Sequence, residues 1–381
     1  MTSARRALPR VSQFVIEHLL LLPLGALVAL VWVNVEPETY FRFTYAIAFA
    51  VNDVAMVFFF ALITKEIVEA TIPGGVLHPW RRTVMPVIAS IGAAAVPALL
   101  HMRLVVDLDE PMLAIGWPVS LAVDLGLVYI FGRIIFSGKH PVIPLLLLVG
   151  IASDTGGSLA VALASDIDVR LVGGGVMLAA ALAVAAALRR GRVKSFWPYL
   201  IVAGGLSWFA FYWTGLHSTL ALVPIVPFLP HAGRDPGFFV DAPPDAKDTL
   251  SQFEHWWRYP AQIALFFFGL VNAGVPMGAL EPGTWGLPVA VLVGKPIGLI
   301  LGAGLATMVG FALPSRVGWR DLVVGGLIIA MGLSVGLFFG SALLPPGQLR
   351  SEVNMGVLMS LAGAPLAIIA ARLLRVGRFA A

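Results

Sequence analysis

The chain has no cysteine among its 381 residues and little charge, with Asp, Glu, Lys and Arg together making up 12%. The first absence excludes disulfides, thiolate metal sites and cysteine nucleophiles. The second leaves about half the charge of an ordinary soluble domain, while apolar residues reach 59%. Long polar stretches are also missing: the most hydrophilic internal segment is HAGRDPGFFVDAPPDAKDTLSQFEHWWRYP, residues 231–260. Such a chain is a polytopic, all-α membrane protein. Roughly a dozen spans of about 20 residues leave no room for a separate soluble domain. The net charge of +4 then reports orientation and not nucleic-acid binding, since the basic residues gather at the ends of apolar runs.

Apolar windows predict about twelve spans, at roughly 12–34, 44–70, 83–104, 112–136, 142–165, 169–188, 197–213, 215–229, 256–277, 285–311, 321–344 and 353–375. The opening MTSARRALPR is basic and leads into a long apolar stretch with no small-residue cleavage site, so it reads as the start of a first transmembrane helix. Basic clusters fall at Arg5, Arg6 and Arg10, at Arg189, Arg190, Arg192 and Lys194, and at Arg372, Arg375 and Arg378. With an even number of spans between them all three share one face, which the positive-inside tendency makes cytoplasmic, together with both termini and a loop at 231–255. The whole of 1–381 reads as one transmembrane transporter domain: first helices at 12–70, then two halves at roughly 83–188 and 256–375.

Two spans look interrupted. The fourth contains GWPVSLAVD and the eleventh GGLIIAMGLSVG, where proline or clustered glycine weakens a helix near its middle. Glycine also serves close packing in membrane helices, but the two interruptions occupy comparable places in the two halves. An inverted-repeat transporter with a site at the bilayer midplane has that layout.

Ionisable residues inside the spans are few: Asp53, Lys65, Glu66, Glu69, Asp124, Arg133, Asp154, His217 and Lys295. Lys65, Glu66 and Glu69 lie near a span end, where solvated charge is ordinary, and Arg133 is placed to snorkel. His217, in TGLHSTLA, reads as a packed or end-of-helix histidine, because no second ligand stands at metal spacing beside it. Asp124, Asp154 and Lys295 lie deep, in AVDLG, ASDTG and VGKPIG. Each needs a partner, a proton or a water cavity. In the structural reading an aspartate and a lysine balance the dipoles of broken helices. In the functional reading a buried carboxylate exchanges a proton for a cation, with Asp154, in LLLLVGIASDTGGSLAVALA, as the foremost candidate. Ser153, Asp154 and His217 are also residue types of nucleophilic catalysis, but no HExxH or GxSxG framework accompanies them, so an enzyme is not expected. No cofactor is implied.

The stretches MPVIASIGAAAVPALL, GWPVSLAVDLG, TGLHSTLA, LVNAGV, VGKPIG and VVGGLIIAMGLSVG, in that order, resemble the NhaA-type sodium/proton antiporters from about residue 50 to the end. The resemblance implies twelve helices, crossing unwound spans and inverted repeats, of which this family is a standard example. It also implies exchange of sodium or lithium for protons in a bacterial-type inner membrane. By similarity Asp124 and Lys295 match a dipole-compensating aspartate and a membrane lysine. Glu66 and the run Phe253, Glu254, His255 fall near a cytoplasmic pH-sensing region.

The departures are informative. Where the family carries two adjacent aspartates this chain reads Ser153–Asp154. Aligning the following glycine puts Asp154 on the second, cation-binding aspartate; a one-residue shift pairs it with the first and Thr155 with the second. Either way one carboxylate is gone. A family threonine at the crossing is Val123 here, and VNVEPETYF is too short for the family's β-hairpin, so a homodimer would form without it. The missing acid leaves Lys295 without its family partner, and Asp154 is expected to pair with it as a coupled titrating unit. Ser153, Thr155 and backbone carbonyls would complete an oxygen shell around a hard cation on Asp154. With one acid fewer, the proton-to-cation ratio is expected to drop, toward electroneutral exchange. The alternatives are the same fold carrying an organic or anionic solute, proton- or sodium-coupled, or a membrane sensor that binds without flux.

Overall fold

The computed structural model describes residues 21–73, 75, 77–138, 140–164, 171–231, 248–276, 282–345 and 347–380. The basic cluster at Arg5, Arg6 and Arg10, the first residues of the expected first span and most of the 231–255 loop lie outside the described residues. Within them the chain is helical, with no β-strand. Helix α1 covers Leu21–Val35, and Glu36 alone separates it from Pro37, where proline at the first turn suits a helix start. Helix α2, Pro37–Thr71, is thus longer than the expected 44–70 span and contains a π-helical turn at Ala50–Ala55 around Asp53.

Helix α3 is Trp80–Asp107. The expected span at 112–136 is two pieces, α4 (Pro111–Leu121, a 3₁₀ helix) and α5 (Leu125–Ile135), bent by 53°. Then come α6 (Val142–Ala164), α7 (Leu171–Arg190) and α8 (196–214). The expected span at 215–229 is not a helix: two 3₁₀ turns, Ser218–Leu220 and Val226–Phe228, stand in its place, because Pro224 and Pro227 remove amide donors from an otherwise apolar run. Helix α9, Thr249–Asn272, starts earlier than the expected 256, with Asp248 accepting from the Ser251 amide at 3.1 Å as its N-cap. Glu254 and His255 therefore lie on a helix, not in the loop. Helix α10 is Gly286–Met308. The expected 321–344 span is again two pieces, α11 (Trp319–Ile329) and α12 (Leu333–Leu343), bent by 49°. Helices α13 (Gln348–Met359) and α14 (Gly363–Leu374) close the chain.

By length and apolar character six helices among the described residues can cross a bilayer, or eight if each bent pair counts as one span. The sequence expectation of about twelve is larger by four: α1 is described only in part, the 215–229 run is turns, α9 carries Glu254 and Arg258 in its first half, and α8 (196–214) is not among the helices counted. The outer faces of α1, α3 and α10 expose Leu27, Val31, Ile91, Leu99, Leu301 and Leu305, the apolar shell that a bilayer-facing bundle requires.

Helix packing relies on small residues, as expected where apolar burial gives no drive between helices in lipid. Gly294, Gly298 and Gly302 form an i, i+4, i+8 stripe on α10, and a β-carbon on any of them would collide with Pro97, Gly92 or Ala89 of α3. That close seat fixes the depth of Lys295, the residue after the first of these glycines.

Candidate functional site

The two unwound segments touch. Residues 122–124 leave helical geometry, with Ala122 at ψ 137° and Asp124 at ψ 99°, and the Asp124 amide donates to the Met331 carbonyl at 2.8 Å. Gly332 lies so near the Ala122 carbonyl that a β-carbon on it would stand 2.6 Å from that oxygen. Four half-helix ends converge there, two with unpaired amides and partial positive charge, two with unpaired carbonyls and partial negative charge.

Asp124 serves both positive ends. Its Oδ1 accepts from the Leu127 amide at 3.2 Å, capping its own helix α5, and its Oδ2 accepts from the Ser334 amide at 3.2 Å, inside the first turn of α12. Helix α12 has glycine at its own N-cap and so no side-chain acceptor there; Asp124 supplies one across the crossing. Lys295 serves both negative ends. Its Nζ donates to the Ile329 carbonyl of α11 at 3.1 Å, to the Leu121 carbonyl of α4 at 3.3 Å, and to the Ala122 carbonyl. Both side chains are buried.

Asp154 behaves differently. On α6, with 0% exposure, it accepts the Val123 amide on Oδ1 at 2.8 Å, while its Oδ2 is buried without a partner. The neighbouring Ser153 Oγ is buried and equally unpartnered. Thr155 lies on the other side of the helix: it is exposed, and its hydroxyl donates to the Ile151 carbonyl of its own helix at 2.7 Å. The structure thus brings Ser153 and Asp154 together with Asp124 and Lys295 and leaves Thr155 out of the expected oxygen shell.

Asp154 and Lys295, expected as a coupled unit, do interact, but through the field between them and not through a direct ion pair: no contact within 4.0 Å joins the two charges. The ammonium has three carbonyl oxygens in reach at the ends of α4 and α11, and these take its donors instead.

A second charged group lies at one end of α2. The Lys65 ammonium is 2.6 Å from Glu69, 2.9 Å from Glu254 and 3.8 Å from Glu66. The sequence reading treated Lys65, Glu66 and Glu69 as end charges of a kind that is usually solvated; the structure buries Lys65, Glu69 and Glu254. The available signal was the i, i+4 spacing of Lys65 and Glu69 in KEIVE, which puts both on one helix face. His255 is exposed on α9, one residue round the helix from Glu254, and does not join the group.

The remaining intramembrane residues are placed as follows. Arg133 donates to the Tyr129 hydroxyl at 3.0 Å, and the Asp53 carbonyl accepts from the Trp208 indole. His217 is packed, as expected, stacking on Phe338 at 4.2 Å, with its amide donating to Ser158 Oγ at 2.6 Å. Ser158 is one turn beyond Asp154 on α6, so His217 borders the site, which its sequence context did not indicate. Among the described residues no group of three or more His, Asp or Glu side chains could hold a metal ion.

A helical membrane bundle whose broken spans cross beside a buried, half-satisfied carboxylate defines a transporter, not an enzyme. A family model described as Na+/H+ antiporter 1 matches residues 16–374, and the chain belongs to that family. It is 38% identical over 365 residues to the Na(+)/H(+) antiporter NhaA 1 of Pelobacter propionicus, covering 93% of this chain and 95% of that one. It is 39% identical over 374 residues to the Na(+)/H(+) antiporter NhaA of Desulfitobacterium hafniense, covering 95% and 96%. Among solved structures it resembles the sodium proton antiporter MjNhaP1 of Methanocaldococcus jannaschii with a TM-score of 0.61, covering 96% of this chain and 95% of that one; at 14% identity this speaks for the fold alone.

Proposed function

We propose that this protein exchanges sodium or lithium ions for protons across the bacterial inner membrane, with Asp154 as the group that alternately holds the proton and the cation. One observation carries this reading: of the three deep charges, only Asp154 keeps a carboxylate oxygen without a partner, next to an equally unpartnered Ser153 hydroxyl. Those two oxygens, with carbonyls of the unwound segments, form the start of a coordination shell for a small hard cation. Asp154 has no exposure in this conformation, so transport requires a movement that opens it to one face at a time. The charges that hold the crossing together, Asp124 and Lys295, travel with the fold and not with the ion.

The charge count follows from the same geometry. Provided that Lys295, whose donors go to three carbonyls, stays an ammonium throughout, Asp154 is the one exchanging acid, releasing one proton for each monovalent cation bound. The proposed exchange is electroneutral. Solid-supported-membrane current recordings on proteoliposomes test this: sodium-driven proton movement without sustained current is the expected result, and robust charge movement contradicts it. An organic or anionic cargo would have to draw on Lys295, whose donors are already committed to three carbonyls.

The wider organisation belongs to the same proposal. The chain forms one domain over 1–381 with inverted-repeat halves at roughly 83–188 and 256–375, and both termini face the cytoplasm. Glu66 and Glu254, gathered on Lys65, are placed to sense pH on that side. Any homodimer forms through helix faces, since only Glu36 lies between α1 and α2.

A further inference from the structure

A cavity of about 680 Å³ opens where both broken spans reach the membrane surface, a half-helix of eleven residues, or about 16 Å, from the crossing. Its walls come from three separate segments: Ser137 and His140 after α5, Arg316 and residues 318–321 at the start of α11, and residues 375–378 with Ala380 after α14. The C-terminal wall is seated firmly, because Gly377, at φ 60°, packs its backbone against the Ile135 carbonyl at the end of α5.

The lining is strongly one-sided in charge. Arg316, Arg320, Arg375 and Arg378 face a single carboxylate, Asp321. That carboxylate is already occupied: its Oδ2 accepts the Gly318 amide at 2.7 Å and closes the first turn of α11. None of the four arginines takes part in an ion pair among the described residues, and Arg320 reaches only as far as the Leu374 carbonyl, at 3.5 Å. Arg316 and Arg375 hold left-handed backbone, φ 70° and 54°, a conformation that suits glycine and carries a steric cost for arginine. His140 adds no charge at neutral pH: burial holds it below the ordinary imidazole value, Asp321 opposes this and Arg316 reinforces it. Its Nδ1 accepts the Val142 amide at 3.3 Å, as a neutral ring does.

All four arginines are exposed, and Arg375 and Arg378 belong to a basic cluster that also marks one side of the membrane. What sets these four apart is that they converge from two segments on one cavity where a single carboxylate, Asp321, stands against four guanidinium groups, and guanidinium forks match phosphate oxygens in geometry as well as charge. The cavity's mouth adjoins the lipid-facing surface: Trp319 in its wall is 46% exposed, and Leu373, just before its C-terminal wall, is 78% exposed.

We propose that this cavity binds the phosphate of an anionic phospholipid headgroup in the adjoining leaflet, held by Arg316, Arg320, Arg375 and Arg378. Soluble phosphate shares the chemistry, but a mouth at the edge of the apolar shell favours the lipid. The proposal holds whichever cation the carrier moves. The full-length protein in neutral detergent, titrated with phosphatidylglycerol, phosphatidylcholine or inorganic phosphate, tests it by native mass spectrometry and thermal unfolding. Phosphatidylglycerol is expected to be retained and to raise the unfolding midpoint, and phosphatidylcholine is not. In R316A/R378A its affinity should drop roughly fivefold for each arginine removed, with R316K/R378K intermediate. Equal retention of the two lipids by the unaltered protein overturns the proposal without any variant. So does unchanged phosphatidylglycerol binding in R316A/R378A, or inorganic phosphate at millimolar concentration displacing phosphatidylglycerol and stabilising equally well. Cation exchange by both double variants in phosphatidylcholine liposomes reports that they are folded.

Discussion

Asp124 and Asp154 are two aspartates of the same crossing, both buried, and they are treated in opposite ways. Asp124 spends both oxygens on backbone amides, one in α5 and one in α12. Asp154 uses one oxygen on the Val123 amide and leaves the other bare. Removing a charge from water is costly in either case, but for Asp124 the amides of two helix starts offset the cost within the fold. For Asp154 the offset is incomplete, since an unmet buried acceptor costs about 1–3 kcal/mol. A saturated buried charge holds a structure together, whereas an unsaturated one still has an oxygen able to accept a ligand. Lys295, with its three carbonyls, belongs with Asp124.

The comparison breaks most sharply at Asp154. Asp154→Asn keeps the size and the acceptor for Val123, so the unfolding free energy should stay within about 1 kcal/mol of the original, the range of a single retained hydrogen bond. Exchange in everted vesicles, read with a pH-sensitive dye, should nonetheless fall at least to the assay floor. Undiminished exchange by the asparagine variant would remove Asp154 from the mechanism. Asp124→Ala should do the reverse in kind: two amides lose their cap, with a stability loss of about 2–4 kcal/mol, and Asp124→Asn, which can still cap, should lose less. Lys295→Met leaves three carbonyls unmet, and its unfolding midpoint should fall alongside that of Asp124→Ala. If either variant unfolds like the unaltered protein while exchange stops, the division between holding and working residues is wrong.

Much of this arrangement was legible in the sequence, for identifiable reasons. Charges are so rare in apolar spans that Asp124, Asp154 and Lys295 stood out, and Pro118 and the glycines around 325–336 marked the breaks. For Lys295 the sequence left two readings open, the dipoles of the broken helices and the carboxylate of Asp154; the helix ends supply its hydrogen bonds, but which carbonyls they are was not legible, because carboxylates have letters and carbonyls do not. Thr155 was assigned by adjacency in sequence, although successive helical residues point about 100° apart, so with Ser153 and Asp154 turned inward the next side chain turns out. The run at 215–229 has the composition of a span, yet Pro224 and Pro227 decide its geometry. Apolarity marks the middle of a helix and is blind to a polar first turn, which is why Asp248 and the first two turns of α9 were read as loop.

Ser153→Asp sharpens the comparison from the other side, by adding an acid where the chain has a hydroxyl. A second exchanging carboxylate would let two protons leave for one cation, so sustained sodium-driven current should appear in proteoliposomes where the unaltered protein gives none. A variant that still exchanges without current would show that Lys295, not the number of acids, sets the charge balance. Electrogenic exchange by the unaltered protein would defeat the argument before the variant is made.

The smallest effect concerns neighbours on one turn. Ser153→Ala removes an unpartnered buried hydroxyl next to Asp154, so the fold should lose little while the apparent sodium affinity weakens severalfold. A lost ligand oxygen worth about 1 kcal/mol corresponds to roughly fivefold. Thr155→Val removes a hydroxyl that bonds only to its own helix, and both the binding and the unfolding free energy should hold within about 0.5 kcal/mol, the usual range for exposed substitutions. The two positions lie two residues and about 200° of helix apart, so the variants test orientation and little else. If Thr155→Val weakens sodium as much as Ser153→Ala does, α6 must rotate during the cycle to bring residue 155 to the cation. The conformation described here would then be a resting state with the shell only half assembled.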